Sequence, residues 1–193
     1  MRRLETADGT FELMQLEGSR DGPHLYPLFH ADGGQEVWTY LRDGPFRTMD
    51  EYVRHLDGFA GRHGLLAFVV REAASARPVG MSLIIHISDR TESVEIAYVL
   101  FAPDVHGKGV AFAAVQALLE YVFQDLGKML CVWKCDSLNA KSAGLARKLG
   151  FRQTEEIKGD FVVKGRLRDS LVFQMQAQDW QAQARSLRGS GMR

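Results

Sequence analysis

Cysteine is scarce in this chain: there are two thiols among 193 residues, Cys131 and Cys135. In an extended strand their four-position spacing corresponds to about 13 Å, beyond the reach of a disulfide. Neither has a His or Cys companion at zinc-ligand spacing. The pattern speaks against a disulfide framework and a zinc site, and reduced thiols in the cytoplasm fit it best. Long apolar runs are missing too, and stretches such as 65–70 fall far short of a membrane span. The opening MRRLETADGTFEL has two arginines but no apolar core of a signal peptide. Net charge is absent, with 24 Lys+Arg against 24 Asp+Glu. No global field therefore steers the chain toward nucleic acid or an anionic membrane. Neither is expected as a partner. Repeats and low-complexity tracts are also lacking.

What is there is an ordinary globular composition, 46% apolar and 25% charged, long enough to bury a substantial core. Residues 1-177 read as a single domain and 178-193 as a polar tail, a short helix that frays. The stretch 94–111 organises the rest. Residues 94–101 form an apolar strand, Pro103 breaks the connection, and His106-Gly107-Lys108-Gly109 is a glycine-paired turn. A helix follows, with Ala111, Val115, Leu118, Leu119, Val122 and Leu126 on its apolar stripe. Strand, glycine turn and helix start together make an anion site. Free amides and the positive end of the helix dipole point at one spot, and glycines let a phosphate come close.

Before this stretch, the pattern predicts a strand over 10–16, a loop over 18–23 and a short helix through Leu25, Leu28 and Phe29. Asp32-Gly33-Gly34 breaks the chain. Thr48 with Glu51 three residues on is a capping-box start for the next helix. Strands follow at 65–71 and 79–87, turned into the organising strand at 89–92. Beyond the long helix come a strand at 129–134, a helix capped by Asp136 or Ser137, and a closing hairpin turned at Gly165.

This order of elements resembles the GCN5-related N-acetyltransferase (GNAT) superfamily, and particular residues carry the resemblance. His106-Gly107-Lys108-Gly109-Val110-Ala111 occupies the family's Arg/Gln-x-x-Gly-x-Gly/Ala acetyl-CoA motif. Asn139-x-x-Ser142, ending at Lys148-Leu149-Gly150-Phe151, resembles the second half of its site. With Glu95-Ile96-Ala97-Tyr98 and Trp133-Lys134-Cys135-Asp136, the set is most similar to the branch of ribosomal-protein N-terminal acetyltransferases. The resemblance implies an α/β (α+β) domain whose mixed, mainly antiparallel sheet of six to seven strands is flanked by helices. It implies acetyl-CoA as co-substrate, no metal, and an amine acceptor, either a protein or peptide N-terminus or a small-molecule amine. Attack would be direct, in a ternary complex, and a homodimer through the closing strands or the tail fits the same picture. Two departures stand out: His106 replaces the family's Arg or Gln, and Ala146 stands where many relatives carry a proton-donating Tyr.

Acetyl transfer needs a held cofactor, a neutral amine, a donor for the oxyanion and a proton for the departing thiolate. The resemblance assigns Gly107, Lys108, Gly109, Val110 and Ala111, beside His106, to the pyrophosphate. It assigns the backbone of Leu100 and Phe101 to the pantetheine, with a free N–H there as oxyanion donor. Asn139 would bind pantetheine and Ser142 would protonate the thiolate; without the resemblance both read as capping or exposed residues. Glu95 is the base candidate. Alternation with Ile96 and Tyr98 puts Glu95, Ala97 and Val99 on one sheet face, and desolvation there would raise a carboxyl pKa. A structural acid fits Glu95 equally well, and His86 and Asp160 are the reserve bases. Trp38, Tyr40 and Phe46, with Tyr98, would wall the acceptor pocket or pack in the core. A rival from another class is a non-catalytic acyl-CoA sensor, which would keep the glycine turn and lose Glu95, Asn139 and Ser142. A P-loop nucleotide binder fails, because no Ser or Thr follows Lys108 and no Gly lies five residues before it.

Overall fold

Eight strands form one sheet: β1 (Arg3–Glu5), β2 (Phe11–Gln15), β3 (Leu66–Glu72), β4 (Pro78–Ile85), β5 (Ser93–Phe101), β6 (Leu130–Asp136), β7 (Arg152–Val163) and β8 (Arg166–Gln176). Their order is β1-β2-β3-β4-β5-β6-β8-β7. Every neighbouring pair is antiparallel except β5 and β6, which run parallel. The computed structural model describes residues 2–31 and 34–190, with side chains through Arg185. The break expected at Asp32-Gly33 and the last residues of the tail lie outside them. The strand count exceeds the expected six to seven because β1, three residues long, is too short to show an alternating pattern.

Five helices pack on the sheet: α1 (Gly18–His30), α2 (Met49–Asp57), α3 (Val110–Glu120), α4 (Ala140–Lys148) and α5 (Ala177–Ser190). The helix α3 makes the crossover that parallel strands require. On its face of the sheet, Val94, Ile96, Val115, Leu118, Cys131, Trp133 and Phe173 share one core. On the other face, Leu25, Phe29, Trp38, Tyr52, Leu56, Leu83 and Leu100 share a second, under α1 and α2.

Three local readings are corrected. The segment 18–23 is helical, not a loop, because its glycines serve helix packing. A Cβ at Gly22 would lie 2.7 Å from Val53 Cγ2 on α2, and one at Gly18 would overlap the Asp57 carboxylate. Strand β6 runs two residues further than expected, held by the Asp136↔Ser170 pair. The α4 cap therefore falls on Asn139, whose Oδ1 accepts from Ser142 N at 3.0 Å, while Asp136 Oδ1 accepts from Leu138 N in the turn before it. Finally, the stretch after 177 is helical as expected, but its first turns reach the core rather than standing off as a tail, with the Trp180 ring tilted 5.6 Å from Phe123. The long helix after the glycine turn is α-helical to Glu120 and widens to a π turn over Tyr121–Asp125.

Candidate active site

Pairing between β5 and β6 covers only Ser93↔Leu130, Val94↔Cys131 and Glu95↔Val132. Beyond that point β5 stays with β4 as far as Phe101↔Gly80, and β6 stays with β8 as far as Asp136↔Ser170. The two strands part, leaving a wedge between residues 96–101 and 133–136. A bulge shapes one wall. Tyr98 has φ +53°, and the register slips so that Tyr98 and Val99 together oppose Ser82. Alternation expects Tyr98 opposite Glu95 and Val99 beside it. The extra residue reverses this: Val99 and Phe101 pack on the α3 side, while Tyr98 and Leu100 face the side of α1, α2 and Glu95.

The register also separates the two residues expected to line the wedge with backbone. Ala102 N donates to Val79 O at 2.9 Å, so Leu100, two residues earlier, likewise turns its peptide toward β4. Phe101 turns its own to the open side, where His106 Nε2 bonds its carbonyl at 2.9 Å. A carbonyl only accepts, so Nε2 carries the proton and tethers the His106 ring to the wall. The Phe101 N–H is the member of the pair that faces the wedge.

At the head of α3, Gly107 and Gly109 hold φ +75° and +81°, which a side chain would strain. A Cβ at either would meet nothing within 4 Å. The first helical bond is Ala113 N to Gly109 O at 3.0 Å, and no side chain caps the helix. The amides of Gly109, Val110, Ala111 and Phe112 therefore lack helical acceptors, at the positive end of the α3 dipole. Lys108 differs from expectation, since its amide closes the turn on Val105 O at 3.3 Å. Its ammonium is what it can offer an anion.

On the same face, Ser142 sits in the first turn of α4 and its Oγ accepts from Trp133 Nε1 at 3.0 Å. That bond uses the oxygen as acceptor and leaves the hydroxyl proton to donate, with the Cys135 sulfur as a neighbour. Burial pushes the Cys135 thiol up, partly offset by the Ser142 hydroxyl beside it. Asn139 uses its carbonyl oxygen as the cap, so only its NH2 can reach a ligand.

Glu95 lies on the opposite face, with a side chain 13% exposed. Its Oε2 is 3.8 Å from Lys134 Nζ and 3.9 Å from His86 Nε2. Burial raises its pKa, against the pull of Lys134, His86 and Arg168, and Asp160 adds to the rise. The three acid–base candidates, Glu95, His86 and Asp160, thus share one neighbourhood. His86 is not a strand residue: it follows β4 at φ +61° with its side chain 71% exposed.

The acceptor-wall candidates divide. Trp38 is fully buried, with Nε1 donating to Phe29 O at 2.9 Å. It is core. Phe46 and Tyr40 are half-buried, and the Phe46 ring lies 4.6 Å from His55. Tyr98 donates its hydroxyl to Asp43 and lies 3.5 Å from His55 Nε2. Burial and then Asp43 drive its phenol pKa upward, so Tyr98 is a fixed donor. Asp43 and His55 carried no signal in the sequence, since only the fold brings them to Tyr98.

Residues 16–152 match the family model of the acetyltransferase (GNAT) domain. The chain belongs to the GNAT family. Spermidine N(1)-acetyltransferase of Escherichia coli (strain K12) is 27% identical over 157 residues, covering 77% of this chain and 80% of that one. A probable GNAT acetyltransferase from Chromobacterium violaceum ATCC 12472 superposes with a TM-score of 0.84 at 32% identity, over 89% of this chain and 85% of the other. Spermidine N-acetyltransferase from Vibrio cholerae, in complex with CoA and spermine, superposes with a TM-score of 0.76 at 22% identity, over 89% and 98%. The protein is therefore an N-acetyltransferase of the GNAT fold that uses acetyl-CoA as co-substrate. Its own residues suit that molecule, with open glycines and helix-head amides for phosphate and a parted strand edge for an amide-bearing arm. Among the described residues, no group of three His, Cys, Asp or Glu converges to hold a metal, and no helix is long and apolar enough to cross a membrane.

Proposed function

We propose that this GNAT protein acetylates a primary amine by direct attack in a ternary complex, with Glu95 as base and Ser142 as acid. The observation that carries the reading is the placement of these two groups on opposite faces of the sheet, at the point where β5 and β6 part. A thioester seated in the wedge would meet the amine from one face and the acid from the other. Acetyl-CoA supplies the activated acyl group. The amides of Gly109, Val110 and Ala111, with Gly107 and the Lys108 ammonium, hold its pyrophosphate, and the Asn139 NH2 steadies the pantetheine. Glu95 takes a proton from the incoming ammonium through water; its raised pKa makes it a better base than an exposed carboxylate. The Phe101 N–H faces the forming oxyanion. Ser142, its oxygen held by Trp133, gives its proton to the departing thiolate and regains one through water, which takes up the second proton that the nitrogen sheds.

The acceptor is a peptide N-terminus or a small-molecule amine. An α-amine, with a reference pKa of about 8 against about 10.4 for a lysine, demands less of the base. Free, buried thiols at Cys131 and Cys135 suit action in the cytoplasm. The test is a free-CoA release screen over peptides, small amines and spermidine, which relatives are named for. We expect release with at least one amine and its loss in Glu95→Gln. CoA binding without release from any amine would instead make the protein an acyl-CoA sensor.

A further inference from the structure

Strand β8 carries two buried polar side chains that the proposed transfer does not use. Arg168 is 8% exposed and Ser170 0%. Arg168 Nε and Ser170 Oγ have no hydrogen-bond partner among the described residues. Their neighbours Leu171, Phe173 and Met175 pack on the α3 side. Arg168 and Ser170 therefore sit on the opposite face, together with Lys134 and Glu95, whose strands β6 and β5 continue the same sheet.

A guanidinium N–H taken out of water without a hydrogen bond is costly, and the nearby acids offset the charge through space without bonding that N–H. Asp136 gives one oxygen to Leu138 N and the other to Arg166. Asp169 is held by Lys158 Nζ and Gly159 N, both at 2.9 Å. Asp136, Asp160 and Glu95 lie within electrostatic range but make no ion pair with it. A second guanidinium adds to the charge. Arg42 lies 3.7 Å over the Phe161 ring and Arg168 4.7 Å over the same ring. Arg42, Arg168 and Lys134 gather positive charge on this face, and the acids in range leave the Arg168 Nε–H without an acceptor.

We propose that the amine acceptor also carries a carboxylate, which Arg168 receives with Ser170 and Arg42 beside Glu95. This rests on the acetylation reading above and names the acceptor class within it. One planar guanidinium fork with a single hydroxyl matches a carboxylate held bidentately. A protonated polyamine has no acceptor to offer the unpartnered Arg168 Nε–H.

The test uses amino acids and dipeptides of graded length, each as free acid and as carboxamide, with spermidine alongside, in the CoA-release assay. For at least one length the free acid should exceed its carboxamide by about tenfold or more in kcat/KM, the scale of a charge-assisted bond. The difference should lie in KM. Arg168→Gln should bring the ratio to within about twofold, and Arg168→Lys should keep part of it. Stabilisation by CoA shows that each variant is folded. If Arg168→Gln does not fold, the wild-type ratios and Arg168→Lys decide. Acid and amide forms acetylated alike at every length, or spermidine outrunning every free acid, would overturn the inference and leave the acetylation reading standing. No release from any amine would sink both.

Discussion

The two sides of the wedge are built in different ways. The side expected to hold acetyl-CoA comes almost entirely from residues 101–112 and 139–142 and works through backbone amides. The side expected to receive the amine gathers Phe46, His55, Glu95 with Tyr98, and Arg168 from four separate parts of the chain, and works through side chains. Amide cradles tolerate most side chains but demand glycine where φ is positive, as at Gly107 and Gly109. Side-chain walls tolerate most backbones but demand particular functional groups. The first side should therefore fail all at once when its glycines change, and the second should fail in degrees.

The largest effect belongs to Gly109→Glu, which puts bulk and negative charge where the amides converge. Wild type should be stabilised by CoA at 100 times its dissociation constant by about 2.7 kcal/mol, read as a rise in melting temperature. The variant should show no rise. A normal rise would move the phosphate site elsewhere and erase the contrast.

Glu95→Gln comes next, with turnover falling by about two to four orders of magnitude, the range of a positioned base, while the CoA-induced rise is kept. The carboxylate form is the active one, so the wild-type rate should drop as pH falls through the raised pKa, and the variant should lose that limb. Stability should move the other way. A carboxyl whose folded pKa is raised binds its proton more tightly in the folded state, so stability declines as pH rises from the ordinary carboxylate range through the raised value. Glu95→Gln should melt higher than wild type above that window and gain nothing below it. Equal melting temperatures at both ends would mean that Glu95 is a satisfied structural acid.

Ser142→Ala should lower turnover by about one to two orders of magnitude and leave CoA affinity within a few-fold, since Asn139 still caps α4. The smallest effect should come from Cys131→Ala/Cys135→Ala. Burial raises both thiols, so neither forms a ready thiolate. The folded double variant should keep most of its turnover, with intersecting initial-rate lines. Parallel lines together with acetyl label on Cys135 would replace direct attack by an acyl-enzyme.

The same division explains what could be read from the sequence. The glycine turn, the Thr48 and Glu51 cap (Oγ1 to Glu51 N, 3.2 Å) and the closing hairpin are local, so spacing alone reveals them. The bulge at Tyr98 is not, because a tyrosine at positive φ carries no mark and its partner strand sets the slip. Nor could Gly18 and Gly22 be told from loop residues without α2 against them. Arg166, Arg168 and Ser170 did leave a trace. They alternate on one face of a strand whose other face carries Leu171, Phe173 and Met175, a pattern that flags buried polar groups only once that other face is known to be core.

The parted edges of β5 and β6 have a consequence for the molecule's neighbours. An unpaired strand edge normally templates another strand, and at the rim of a sheet it invites self-association. Here the edge lies inside the sheet, closed at one end by the Glu95↔Val132 pair and flanked by strands on both sides. A second protein's strand could extend it only by driving between two elements already held by β4 and β8. The slot therefore admits something thin and one-ended, with amides but no side chains, and turns away polypeptide.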